Sequence, residues 1–416
     1  MSKIVVGGGN KLFGEITVQG AKNSILPILA GTILCKNSVI HNCPDLYDVE
    51  TSFEILNGLG CKTKKEATTA LIDSSVLNEY SIPEDLMRKM RSSVVFLGAI
   101  IGRCKKAVIS SPGGCELGPR PIDLHISSLE KLGVKVTEEH GFIYCNAENG
   151  LKGAEIYLTF PSVGATENII LAAATAKGVT VIHNAAKEPE ISDLADFLNS
   201  AGARIYGSGS DTVYIHGVET LNSTEHTVIP DRIVAATYMA CAAVTGGKIK
   251  LNNVMPSHMV ALLSTFRESG CNIEVTGKSL TVSSNQRLRR VPTVRSMVYP
   301  AFPTDAGPVV ISMLCKAEGT SVFVENIFEN RFRYVDELKR LGAKIKIEGK
   351  IAVIEGVESL SAANCNCTDL RGGAALVVAA LAANGKTEIG EITHITRGYD
   401  NITTTLKQVG ADIDIV

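Results

Sequence analysis

Apolar and polar positions follow one another along this chain in a pattern that returns six times. In each return a stretch rich in Ala, Gly and Val leads to a short β-type run, then to a two-faced helix closed by glycine. The closing glycines are Gly60, Gly133, Gly202, Gly270, Gly342 and Gly410. They lie about 70 residues apart, beyond the usual solenoid period, so each copy is expected to be a small layered unit rather than one coil of a rod. The first helix of each copy is expected over Ser24–Leu34, Ser92–Gly102, Ala165–Ala176, Ile233–Val244, Ala306–Cys315 and Gly373–Ala383, all apolar nearly all round. A helix with no face for water belongs inside a domain. The second helix, as in Val49–Leu56 or Val335–Leu341, keeps a polar face and is expected nearer the surface. Strand-like runs such as Ser38–His41, Val179–His183, Val213–His216, Thr227–Ile229 and Lys248–Leu251 complete a βαβαββ plan.

The two ends of the chain complement each other. Ile4–Val18 has the form of the strand pair that precedes later inner helices, for example Ala352–Leu360, and the sixth copy stops at Val416 without one. The first residues are therefore expected to complete the sixth copy. The expected fold class is α/β, an arrangement with apolar helices inside and sheets outside. It divides into two domains of three repeats, one over 22–229 and a discontinuous one over 1–21 and 230–416. Crossings near Gly20 and Pro230 would join them, with a cleft between.

Composition narrows the function. The 416 residues are 45% hydrophobic and 20% charged, with a formal charge of −2, which gives no whole-chain case for binding nucleic acid or anionic membrane, so any anion site must be local. Eleven scattered cysteines read as reduced thiols of a cytoplasmic protein. Cys365 and Cys367 form a lone C-x-C without a second pair, which argues against metal. Met1–Gly9 lacks the apolar stretch of a signal peptide, and no apolar run reaches the roughly 18 residues of a membrane span.

The inner helices open on polar or charged residues: Lys22 and Asn23, Arg91, Gly164 to Thr166, Asp231 and Arg232, Asp305, and Asp369 to Arg371. Helix starts carry unpaired N–H groups and partial positive charge, which favour anions. If three such helices per domain run the same way, their starts converge and Lys22, Arg91, Arg232 and Arg371 reinforce the field. The alternative is that these arginines pair with carboxylates at helix starts. A second set, Arg120, Arg331 and Arg397, precedes outer helices at matching turns, a placement suited to bidentate binding of phosphate or carboxylate. The second copy also carries an insertion-like loop, Ser110–Pro121, rich in Gly and Pro around Cys115. It is expected to act as a lid that brings one thiol to a site, with Arg120 able to stabilise a thiolate. Asp305 suits a helix cap as well as a base, and Asp231 and Asp369 share its slot, so the residues alone do not choose among them.

Gly20-Ala-Lys-Asn-Ser24, the loop from Pro112 to His125, Pro303-Thr-Asp305, Phe328-Glu-Asn-Arg331 and Arg397-Gly-Tyr399 closely resemble the UDP-N-acetylglucosamine 1-carboxyvinyltransferases (enolpyruvyl transferases) of the EPSP synthase superfamily. The likeness covers essentially the whole chain. It implies an inside-out α/β barrel and transfer of the enolpyruvyl group of phosphoenolpyruvate to the 3′-hydroxyl of UDP-N-acetylglucosamine, releasing phosphate, as the committed step of peptidoglycan precursor synthesis. By resemblance Cys115 is the proton donor and a site of covalent addition, and Asp305 is the base. Lys22, Arg120 and Arg397 bind phosphate and carboxylate, with Arg331 and Arg371 in support. The nucleotide sugar would meet Asn23, Arg91, Arg120, Pro121, Ile122, Asp123, Leu124, Ser162, Val163, Gly164 and Ile327. No metal or cofactor is implied, and Cys115 implies inactivation by fosfomycin. Ala306, Gly307, Arg88 and Phe160 depart from the family pattern. Two other readings are a shikimate-pathway enolpyruvyl transferase and a paralogue that binds the UDP-sugar without turnover.

Overall fold

A computed structural model describes residues 2–110 and 122–416. These form two compact units, residues 2–19 with 230–416 and residues 20–110 with 122–229. Each unit surrounds its own hydrophobic cluster.

In the unit that holds residues 230–416, the inner helices are Arg232–Thr245, Gly307–Leu314 and Leu370–Leu381. Every residue from Arg232 to Val244 and from Arg371 to Leu381 is buried. That burial is what an all-apolar helix requires, and the outer faces of the strands meet the water instead. In the other unit the inner helices are Lys22–Gly31, Phe96–Cys104 and Val163–Ala173. Their Gly and Ala content follows from how closely they pack. A Cβ added at Gly98 would lie 2.3 Å from the carbonyl oxygen of Asn168.

The strands are shared between neighbouring repeats. Phe13–Thr17 pairs in parallel with Lys248–Asn252, Thr293–Arg295 with Thr320–Val324, and Asn364–Asn366 with Lys386–Gly390. In the second unit Thr224–Thr227 pairs with Asn37–His41, and Glu155–Tyr157 with Val179–His183. A lone parallel bridge from Ser81 to Val108 takes that place beside Lys106–Ser110. Each repeat thus hands its last strand to the sheet of another, which ties three repeats into a closed ring.

This sharing corrects one expectation. Ile4–Gly7 does lie in the sixth repeat's sheet, between Lys386–Gly390 and Asp412–Ile415. Phe13–Thr17 does not; it joins the fourth repeat. The turn between them needs glycine, because a Cβ on Gly8 would sit 2.0 Å from the Ala383 carbonyl oxygen. The strand expected over Thr227–Ile229 is observed over Thr224–Thr227. Among the described residues no helix is long and apolar enough to cross a membrane.

Candidate active site

Asp305 occupies a 3₁₀ turn, Thr304–Ala306, that leads into the helix Gly307–Leu314. Pro303 enters this turn in extended conformation, and its fixed φ suits a helix start. The Asp305 side chain faces two guanidiniums. One carboxylate oxygen accepts a hydrogen bond from Arg331 at 2.9 Å, and the other is 3.4 Å from Arg371. Both arginines are nearly inaccessible, at 2% and 4% exposure, while the Asp305 side chain keeps 27%. A carboxylate anchored from behind by two guanidiniums is fixed in direction yet still reachable from solvent. The arginine–carboxylate pairing raised as an alternative is therefore observed at Arg371.

Each arginine is itself held. Arg331 also donates to the Thr304 carbonyl at 3.1 Å and lies over the Phe328 ring, 5.6 Å from its centre. Arg371 lies 5.7 Å from the centre of the Tyr399 ring and 3.5 Å from its hydroxyl, which in turn meets Thr237 at 2.9 Å. Burial alone pulls the pKa of Arg371 down, but Asp305 first, then Tyr399 and Asp231, outweigh it and leave it above the usual range. Asp231 and Asp369 are the caps of the other two inner helices of this unit. Asp231 accepts from the N–H groups of Ile233 and Val234, and Asp369 from those of Arg371 and Gly372. Geometry thus separates three aspartates that sequence slot alone does not: two satisfy helix starts, and one faces guanidiniums.

In the unit of residues 20–229, Lys22 opens the helix Lys22–Gly31 and its ammonium lies 2.8 Å from Asp48. Asp48 is 1% exposed, in the first turn of the helix Tyr47–Gly58, where the helix dipole favours an anion. Just beyond Lys22, Ser24 donates to Asp193. The same buried carboxylate binds His226 at 2.8 Å and the Ile229 N–H at 3.2 Å. Ser162 caps Val163–Ala173 by accepting from the Ala165 N–H. Gly164 packs against His125, and a Cβ there would fall 3.0 Å from the ring. That ring is fixed by Asn168 at 2.7 Å, which also bonds the Val94 carbonyl and the Gly98 N–H. Asn168 therefore ties the Ser162–Gly164 turn to the turn that Arg91 opens.

Glu167, one turn further along this helix, is 7% exposed. Burial, then Glu190 and Glu188, push its carboxyl well above its ordinary value of 4.5. A folded-state value above the unfolded one favours the fold only while the acid is protonated, and that advantage is lost as pH rises. Glu167→Gln is therefore expected to melt like the parent below about pH 4.5 and higher than it at neutral pH, the gap widening with pH. A gap that stays flat or reverses in melts across this range would refute the burial argument.

The other expected site residues fall at several positions. Asn23 and Asp123 are exposed, Asp123 in the first turn of Asp123–Lys131, and Ile122 and Leu124 pack partly into the core. Ile327 is half-buried, and Arg397 ends the short helix Thr393–Thr396. Cys115, Arg120 and Pro121 lie outside the described residues, as does the side chain of Arg91. Four residues depart from the family pattern. Ala306 is buried, and a Cβ at Gly307 would meet Phe323 at 2.8 Å. Arg88 pairs with Glu84 on an exposed helix face, and Phe160 is exposed.

Burial pushes the thiols of Cys35, Cys145, Cys241, Cys315 and Cys367 up to about 12, and that of Cys365 to about 11. Such thiols stay protonated and unreactive at neutral pH. Among the described residues no group of three or more His, Cys, Asp or Glu could hold a metal ion.

The fold and these features have known counterparts. The chain superimposes over its whole length on the enolpyruvyl transferase NikO from Streptomyces tendae, with a TM-score of 0.90 at 23% identity and 99% of that chain covered. EPSP synthase from Acinetobacter baumannii matches with a TM-score of 0.75 at 20% identity, each chain covered in full. The fold is therefore that of the enolpyruvyl transferases. The family model of EPSP synthase (3-phosphoshikimate 1-carboxyvinyltransferase) matches residues 6–406. UDP-N-acetylglucosamine 1-carboxyvinyltransferase 2 of Caldanaerobacter subterraneus is 50% identical over 414 residues, 99% of each chain. UDP-N-acetylglucosamine 1-carboxyvinyltransferase 1 of Staphylococcus aureus is 44% identical over 418 residues, covering 100% of this chain and 99% of the relative. The chain belongs to the EPSP synthase family, among its UDP-N-acetylglucosamine 1-carboxyvinyltransferases.

Proposed function

We propose that this protein transfers the enolpyruvyl group of phosphoenolpyruvate to the 3′-hydroxyl of UDP-N-acetylglucosamine and releases phosphate, feeding peptidoglycan precursor synthesis. The observation that carries this reading is the exposed face of Asp305, braced by Arg331 and Arg371 in a chain whose full-length relatives bear that activity in their names.

The chemistry needs a base and an acid. Asp305 takes the proton of the sugar hydroxyl as its oxygen bonds to carbon 2 of phosphoenolpyruvate, and carbon 3 gains a proton from Cys115. The product of this step is a tetrahedral ketal. Elimination then returns a proton from carbon 3 to the Cys115 sulfur, re-forms the double bond, and breaks the bond from carbon 2 to the phosphate oxygen; the phosphate leaves with the proton that Asp305 took up, which restores the base. Lys22, Arg120 and Arg397 hold the phosphate and carboxylate and offset charge that develops along the path. Ser162, Val163 and Gly164 offer the N–H groups of a helix start to a diphosphate. Asn23, Arg91, Pro121 to Leu124 and Ile327 complete the contacts to the nucleotide sugar. Two domains, 22–229 and 1–21 with 230–416, act on the same pair of substrates, in the cytoplasm.

Phosphate release from phosphoenolpyruvate, measured with UDP-N-acetylglucosamine and separately with 3-phosphoshikimate, tests the assignment. Release is expected with the nucleotide sugar alone. Release only with the phosphoshikimate would shift the protein to the other branch, and release with neither would favour a binding role without turnover.

A further inference from the structure

We infer that Glu325 is a positioning residue that sets the direction of the Asp305 carboxylate and the reach of Arg331; the inference rests on Asp305 being the base. Glu325 follows the strand Thr320–Val324 and is 1% exposed. One of its oxygens accepts from the Ser296 hydroxyl at 2.8 Å, the Ile327 N–H at 2.7 Å and the Phe328 N–H at 3.1 Å. The other accepts from the Thr304 hydroxyl at 2.9 Å. A buried carboxylate is tolerated only when its lone pairs are met, and four donors meet these.

The identity of those donors gives the carboxylate its function. Thr304 immediately precedes Asp305. Phe328 carries the ring beneath the Arg331 guanidinium. Arg331 closes the circuit by donating to the Thr304 carbonyl and to Asp305 itself. Ser296 adds a further brace, since its hydroxyl accepts from the Asn326 N–H at 2.9 Å and its carbonyl from the Asn326 side chain at 3.0 Å. The base, its guanidinium partner and Ile327 thus hang from one carboxylate that has almost no exposure of its own. A shift at Glu325 moves Asp305 relative to Arg331, whereas the hydrophobic cluster below stays packed.

The test compares Thr304→Val, which removes one donor and leaves the other three, with Glu325→Gln, which keeps the shape and removes the charge. Misplacing a catalytic group by about 1 Å can lower the rate by up to roughly a hundredfold. Both variants are expected to lose about tenfold or more in kcat, with KM for both substrates within about twofold and melting temperature within a few degrees. A purely structural hold would instead lower the melting temperature and leave kcat per folded molecule unchanged. Full kcat in both variants, or losses that track unfolded protein, would overturn the inference. Asp305→Asn in the same assay separates the two layers. If it keeps kcat, the base assignment fails. If it is inactive while Thr304→Val and Glu325→Gln are fully active, the positioning role alone fails.

Discussion

Asp305→Asn is expected to lower kcat by about a thousandfold, the middle of the range for loss of a general acid or base. Asparagine is isosteric and still accepts a hydrogen bond, but it cannot take up the sugar proton at neutral pH. The nucleotide sugar does not need that transfer in order to bind, so its KM should move little. The substitution has a second cost. Arg331 and Arg371 are 2% and 4% exposed, and loss of the charge between them leaves buried cations undercompensated, worth about 3 kcal/mol. The variant should therefore melt lower as well as turn over slowly. Rates must be taken per folded molecule, from circular dichroism on the same sample. A thousandfold loss in folded protein supports the base; a loss explained by unfolding does not.

The second large effect is at Lys22. Its ammonium sits 2.8 Å from Asp48, with 11% and 1% side-chain exposure. Lys22→Met removes that cation from a buried carboxylate, a change worth about 3 kcal/mol. The helix start around Asp48 offsets at most about 1 kcal/mol of this. For a unit of this size each 1 kcal/mol moves the midpoint by about 2–4 °C, so a fall of about 4–12 °C is expected. The double variant with Asp48→Leu replaces the pair by apolar contact and should recover much of the stability. Under the proposed role of Lys22 as a cation for phosphoenolpyruvate, it should not recover turnover, a loss of about a hundredfold or more. Recovered stability together with recovered turnover would remove Lys22 from the chemistry.

The repeat was legible in the chain because an all-apolar helix has one place to go. The stretches from Arg232 to Val244 and from Arg371 to Leu381 are buried throughout for that reason. The strand sharing was not legible. Phe13–Thr17 carries no local mark that distinguishes pairing with Lys248–Asn252 from pairing within the sixth sheet, and only the tertiary structure makes that choice. At the site, Arg371 and Asp305 were visible as charges at helix starts. Their mutual contact was not, since it joins residues 66 positions apart. Asp48, Asn168 and Glu325 were missed altogether. Glu325 offered a signal, an acid that directly follows the apolar strand Thr320–Val324 and stands three residues before Phe328. An acid in that setting is either solvated or surrounded by donors, and only packing decides which. Asn168 offered a weaker one, an amide that directly precedes the apolar run Ile169–Ala173 of a buried helix.

Addition followed by elimination requires carbon 3 of phosphoenolpyruvate to become a methyl group for part of each turnover. The most direct measurement is the isotopic content of the enolpyruvyl methylene in product formed in heavy water, read by mass spectrometry. Deuterium in that methylene is the predicted result, with no product from Cys115→Ala. Product that forms at the normal rate and carries only protium there would contradict a proton donor at carbon 3, and with it the pairing of Cys115 and Asp305.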